Sequence, residues 1–222
     1  MMKFFNTLCE QTQSEQHYLL SAPAIQQALQ GDITAERYGA FLTQAYHHVK
    51  HTTPLLMRCG SKLSFTDEWL RKAVIEYINE EYGHERWILN DIQAAGGDAQ
   101  AVQNSQPHTA TQAMVSLVYH AIDNEHPAAF FGMAHVLEGT SVKLATQAAG
   151  KIKAALGLPD SAFSYLLSHG DLDQEHVHFF EQLMNKVTDE NAQRVIIRTA
   201  KNVYRLYGDM FRALPELAEE PV

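Results

Sequence analysis

The sequence predicts an all-α fold, a single helical bundle of seven to nine helices spanning residues 1–222. Three observations lead there. Apolar residues recur at three- and four-residue spacing almost throughout, with no convincing alternating stretch. Helix breakers are scarce, at 12 Gly and 7 Pro in 222 residues. No internal repeat, low-complexity tract or long linker interrupts the pattern. A hydrophobic fraction of 45% against 19% charged residues supplies a core rather than a disordered chain.

The first helix runs from about Lys3 to Leu20. A short one follows Pro23, a residue suited to a first helical turn. Thr34-Ala35-Glu36 opens a long helix to about Cys59, with a kink expected at Pro54. Ser64 to Asp67 caps the next, which runs to the stop at Gly96-Gly97. Ala110 to Asn124 forms another, and Pro127 starts one that reaches about Leu156. Gly157 to Asp160 is a turn. A segment from Ser161 follows, then helices over about Asp171–Val187 and Asp189–Leu214.

Charge and cysteine content narrow the function. A net charge of −9 argues against a nucleic-acid binder. Cys9 and Cys59 cannot build a disulfide framework or a thiolate zinc site. The start lacks the apolar run of a signal peptide, and the run Ala128–Ala134 is far too short to span a membrane. A cytoplasmic protein without nucleic-acid or membrane partners is expected, working on a small molecule as a homodimer. Twelve histidines stand out, and any transition-metal chemistry must use them with carboxylates.

Helical phase selects among these groups. Leu70, Val74, Tyr77, Glu81, His84 and Ile88 form one stripe, which turns Glu81 and His84 inward. A carboxylate in a core needs a cation, a hydrogen-bond network or a metal. Glu138 is the only acid in the nearly all-apolar helix after Pro127, with His135 one turn before it. His169, Asp173 and His176 lie at 0, +4 and +7, so on one helix they share a face that continues through Phe180 and Leu183. Each piece alone also reads as a paired or capping group. Together they offer three imidazoles and three carboxylates, a mixture suited to two iron or manganese ions. Tyr46, His47, His48 and His51 have no acid on their own helix and are read as pocket or supporting groups, with His135. Tyr77, Phe131 and Phe180 are read as apolar neighbours that exclude water. A second E-x-x-H, Glu175 and His178, continues along a polar face through Gln182 and points to solvent.

The set Glu81, His84, Glu138, His169, Asp173 and His176 resembles the ligand pattern of the heme-oxygenase-like diiron oxidases, with the E-x-x-H pair most similar to the alkene-forming fatty-acid decarboxylase branch. The resemblance spans about Tyr38 to Leu183. It implies a heme-oxygenase-like (TenA-like) bundle, two Fe ions held by those six residues, and O2 as co-substrate. The reaction implied is oxidation or cleavage of a fatty-acid or amino-acid type metabolite. Gly170 weakens the third ligand segment, so one iron is expected to be loosely held and lost on purification. The same superfamily includes TenA-type thiaminases, but both cysteines lie too early in the chain to match their nucleophile. Heme oxygenase needs a proximal His near the N-terminus, where only His17 stands. A metal-free TenA-like hydrolase or small-ligand binder is the competing reading, and a ferritin-like iron store the less favoured one.

Overall fold

The computed structural model describes residues 3–171 and 173–215, without the side chains of residues 142, 143, 169–171 and 173–176. The described residues are helical, with no strand, and form twelve α-helical segments. In order these are α1 (Phe4–Leu20), α2 (Pro23–Gln30), α3 (Ala35–Val49), α4 (Thr52–Lys62), α5 (Glu68–Glu81) and α6 (His84–Ala94). Then come α7 (Ala99–Asn104), α8 (Thr109–Asn124), α9 (Phe130–Leu156), α10 (Ser164–Asp171), α11 (Asp173–Met184) and α12 (Glu190–Arg212). Short 3-10 turns precede α5, α9 and α10. No helix of the described residues is long and apolar enough to cross a membrane.

α12 is the axis of the bundle, packed along α1, α8 and α9. Its buried residues Val195, Ile196, Thr199, Ala200, Val203, Tyr204 and Tyr207 recur at helical spacing, and Asp189 caps its start through Asn191 and Ala192 N–H. Gly132 of α9 makes the closest approach, since a Cβ there would lie 2.6 Å from the Ile196 carbonyl oxygen. One apolar core gathers α1, α4, α5, α8, α9 and α12, and a second gathers α3, α6, α10 and the end of α9.

Two expected helices divide, which raises the count above the seven to nine foreseen. The helix over Thr34–Cys59 breaks at Lys50-His51 rather than kinking at Pro54. Pro54 has no N–H to give residue 50, and the restart puts it in the first turn of α4, where that loss is free. The helix over Asp67–Ala95 breaks at Tyr82-Gly83, with Gly83 left-handed at φ 93°, a conformation open to glycine alone at little cost. His169 falls in α10 and Asp173 and His176 in α11, on either side of residue 172, which lies outside the described residues. Ser64 is no cap either: its hydroxyl donates to the Asp67 carboxylate. The short α7 had no counterpart in the sequence reading.

Candidate metal centre

Glu81 is the last residue of α5 and His84 the first of α6. The bend at Gly83 keeps them together, with His84 Nδ1 3.1 Å from Glu81 Oε2. His84 is buried and stacks on Trp87 at 4.1 Å between centroids. Glu138 comes from the middle of α9. The Tyr77 hydroxyl donates to its Oε2 over 3.4 Å.

Glu81 and Glu138 line one cavity of about 50 Å3, walled also by Val49, Thr52, Tyr77, Phe130 and Tyr165. That measure holds about three to five water-sized groups. His84 touches the cavity only through Glu81. On its other side Glu138 meets a second cavity of about 200 Å3, lined by Cys9, Thr12, Gln16, His135, Phe180 and Tyr204.

Burial pushes the Glu138 carboxyl well above the usual carboxylate range, and the Glu81 charge adds to this against the lowering effect of the Tyr77 hydrogen bond. The carbonyl end of α5 brings further negative potential to Glu81. Two acids thus face one small space that no Lys or Arg lines among the described residues. This donor set fits a cation with oxygen and nitrogen ligands. Among the described residues no three His, Cys, Asp or Glu side chains gather into a metal-binding group. The side chains of His169, Asp173 and His176, the third part of the expected ligand set, lie outside the described residues.

The supporting residues fall into two groups. His135 is buried, and its Nε2 lies 3.3 Å from Thr12 Oγ1. Thr12 donates its own proton to the Leu8 carbonyl at 2.8 Å, so it accepts from His135 Nε2–H. His135 stacks on Phe180, and Phe131 packs its edge against Tyr77. These residues surround Glu138. Tyr46, His47, His48 and His51 do not line the acidic cavity, although Val49 and Thr52 of the same stretch do. His47 binds Ser105 at 2.8 Å, His48 binds the Gln44 carbonyl at 2.9 Å, and His51 meets the Tyr119 hydroxyl at 3.3 Å. Tyr46 lies edge-on to His47. His47 thus faces the end of α7, His51 faces α8, and His48 lies edge-on to Tyr207 of α12. His178 is exposed and bonded to Gln182 at 2.6 Å. His17 is exposed on α1, where Thr12 is the inward residue.

Two residues escaped the sequence reading. Asp91 is fully buried on α6 and caps α10: it accepts from Ser164 N–H at 3.0 Å, the Ser164 hydroxyl, and Tyr165 N–H at 2.9 Å. Burial raises its carboxyl, while these hydrogen bonds lower it. Its position two turns beyond His84 in the same stripe was the available signal. Tyr165, which Asp91 fixes, walls both the acidic cavity and an apolar cavity of about 90 Å3 beyond it.

Comparison with known proteins extends this picture. A family described as iron-containing redox enzyme matches residues 39–208. No curated protein matches the sequence. Among solved structures, a domain of unknown function with a heme oxygenase-like fold from Shewanella denitrificans is 19% identical. It superposes with a TM-score of 0.83 over 96% of this chain and 92% of that one. A TenA homologue from Pseudomonas syringae is 11% identical, with a TM-score of 0.76 over 95% and 91% of the two chains. Heme oxygenase-2 from Synechocystis, solved with heme and NO, is 15% identical, with a TM-score of 0.77 over 96% and 85%. At these identities the likeness is one of fold.

Proposed function

Because the chain belongs to the family of iron-containing redox enzymes, we propose that it is an O2-using oxidoreductase with a non-heme pair of irons. Glu81, His84 and Glu138 would hold that pair together with His169, Asp173 and His176. The observation that carries this reading is the meeting of Glu81 and Glu138 across one small buried cavity. Bound there, iron would supply the reduction of O2 and the oxidising power for the substrate.

The protein's own groups prepare the space. Glu138 must give up a proton that its burial favours, so metal binding releases it and strengthens as pH rises. Tyr77 holds one oxygen of Glu138 and thereby fixes the direction of the other. Phe130, Phe131 and Tyr77 form an aromatic wall that keeps water from that side. A heme reading finds no proximal ligand at His17, which faces outward. The substrate is a small organic metabolite of fatty-acid or amino-acid type.

Anaerobic Fe(II) titration tests the proposal, with metal content measured after desalting and O2 uptake followed on exposure to air. Wild-type protein should take up about two irons per chain. Glu138→Ala and Glu81→Ala should lose at least tenfold in affinity for one or both, on the scale seen for altered metal surroundings. Trace iron in the wild type, or unchanged uptake in both variants, refutes the site.

A further inference from the structure

Several helices of the bundle carry a cap of their own. Thr34 caps α3, Asp98 caps α7 and Asp189 caps α12, each from the residue just before its helix. The residue before α10 is Phe163, whose side chain has no acceptor. The first N–H groups of α10 go instead to Asp91 of α6, more than seventy residues earlier. Asp91 is fully buried and uses both oxygens. Oδ1 accepts from Ser164 N–H and the Ser164 hydroxyl, and Oδ2 accepts from Tyr165 N–H. Just upstream, the Tyr38 hydroxyl of α3 donates to the Ala162 carbonyl over 2.6 Å, and its ring stacks on Phe163 at 5.2 Å between centroids. The start of α10 is thus held from two other helices. A cap from the same stretch of chain stabilises a helix wherever that helix lies. A cap lent by another helix stabilises it in one place only. Moving α10 by about 1 Å takes these bonds out of reach and leaves a buried carboxylate without donors.

Both helices tied in this way carry members of the proposed ligand set. His84 stands two turns before Asp91 on α6, and His84, Ile88 and Asp91 are all buried along one stripe. His169 stands one turn after Tyr165 on α10. We propose that Asp91 is a positioning residue for the metal centre: it sets the register of α10 against α6 and so fixes the His169 segment relative to His84. About 10 Å along α6 from His84, and with both oxygens engaged, Asp91 is not itself a ligand. The same carboxylate holds Tyr165, a wall of the cavity that Glu81 and Glu138 share. This role rests on the iron site proposed above.

Three variants of the full chain test it. Asp91→Asn keeps the size of the side chain, but its amide nitrogen only donates, so it fails Ser164 or Tyr165. Tyr38→Phe keeps the ring and removes only the hydroxyl bond. Asp189→Ala strips the cap of α12 and controls for lost stability alone. In metal-free protein, hydrogen exchange should quicken more in α10 than in α12 for Asp91→Asn, and the reverse for Asp189→Ala. Anaerobic Fe(II) titration should show at least tenfold weaker binding in Asp91→Asn, a smaller loss in Tyr38→Phe and wild-type binding in Asp189→Ala. Saturating Co2+ reads the geometry directly, and its visible bands should change in Asp91→Asn but not in Asp189→Ala. Wild-type affinity and bands in folded Asp91→Asn, or in Tyr38→Phe should Asp91→Asn not fold, overturn the proposal. An equal loss of affinity in Asp189→Ala overturns it too, since affinity then follows stability rather than position. Absence of metal uptake by the wild type refutes the iron site itself, and the positioning role falls with it.

Discussion

Three glycines of α9 can be replaced by alanine, and two of them should respond with opposite signs. At Gly132 a Cβ would lie 2.6 Å from the Ile196 carbonyl oxygen, 2.8 Å from Thr199 Cβ and 2.9 Å from Ala200 N. Two of these atoms are backbone, so no rotamer change relieves the overlap and α9 must move away from α12. Overpacking of this kind costs about 1–3 kcal/mol, even after the small helix-propensity gain of alanine. For a chain of this size each kcal/mol moves Tm by about 2–4 °C, so Gly132→Ala should melt about 2–12 °C lower. Gly150 is exposed, with nothing within 4 Å of the added methyl. Gly150→Ala should gain up to about 1 kcal/mol and melt about 2–4 °C higher. Circular dichroism melts of metal-free protein at one pH compare the two. Glu138 lies six residues beyond Gly132, about 9 Å along the axis, so only Gly132→Ala should also weaken Fe(II) binding. A Gly132→Ala protein that melts at or above wild type refutes the close-packing argument, and so does an equal loss in Gly150→Ala.

Other outcomes follow from the buried charges. Glu138 holds its proton in the fold at pH values where the unfolded chain has released it, so its contribution is full below the ordinary carboxylate range and is lost as pH rises. Metal-free Glu138→Gln should therefore show a flatter decline of Tm from acid to neutral pH, and parallel slopes would refute this. His47 has the opposite sign. Burial first, then Lys50 and His51, pushes its imidazole down to about 4, so stability falls as pH drops from about 6.5 toward that value. Proton NMR should find a His47 midpoint near 4, and a midpoint near 6.5 would remove the argument. Asp91→Ala strips the cap from Ser164 and Tyr165 and should cost about 1–3 kcal/mol in urea unfolding, with a cost within error of zero arguing against the cap.

The bundle was legible because its periodicity is local. Leu70, Val74, Tyr77 and Ile88 show their buried face in sequence spacing alone, and all four are buried. The same phase brought out Glu81 and His84, and Glu138 stood out as the only acid of a nearly all-apolar helix. What spacing could not show is what depends on distant chain. Asp91 gains its meaning from Ser164 and Tyr165, more than seventy residues on. Gly83 misled differently: a single glycine is tolerated inside a helix at a cost of about 1 kcal/mol, so only the fold decides whether the helix passes through or breaks. His47 and His48 share a helix with inward residues, yet their neighbours, Ser105 and Tyr207, come from distant parts of the chain.

The bend at Tyr82-Gly83 has a mechanical consequence. It places two neighbouring donors on two separate rods, α5 and α6, which meet at a joint with an exposed Tyr82. With iron held as proposed, the ion acts as a splint across that joint. Linkage makes the relation reciprocal: whatever stiffens the hinge tightens the grip on iron, and whatever opens it loosens that grip by the same factor. Had α5 and α6 formed one unbroken helix, the two donors would have been fixed in place with or without the ion. With iron so held, the glycine would turn metal occupancy into a shape that the outer face of the bundle displays.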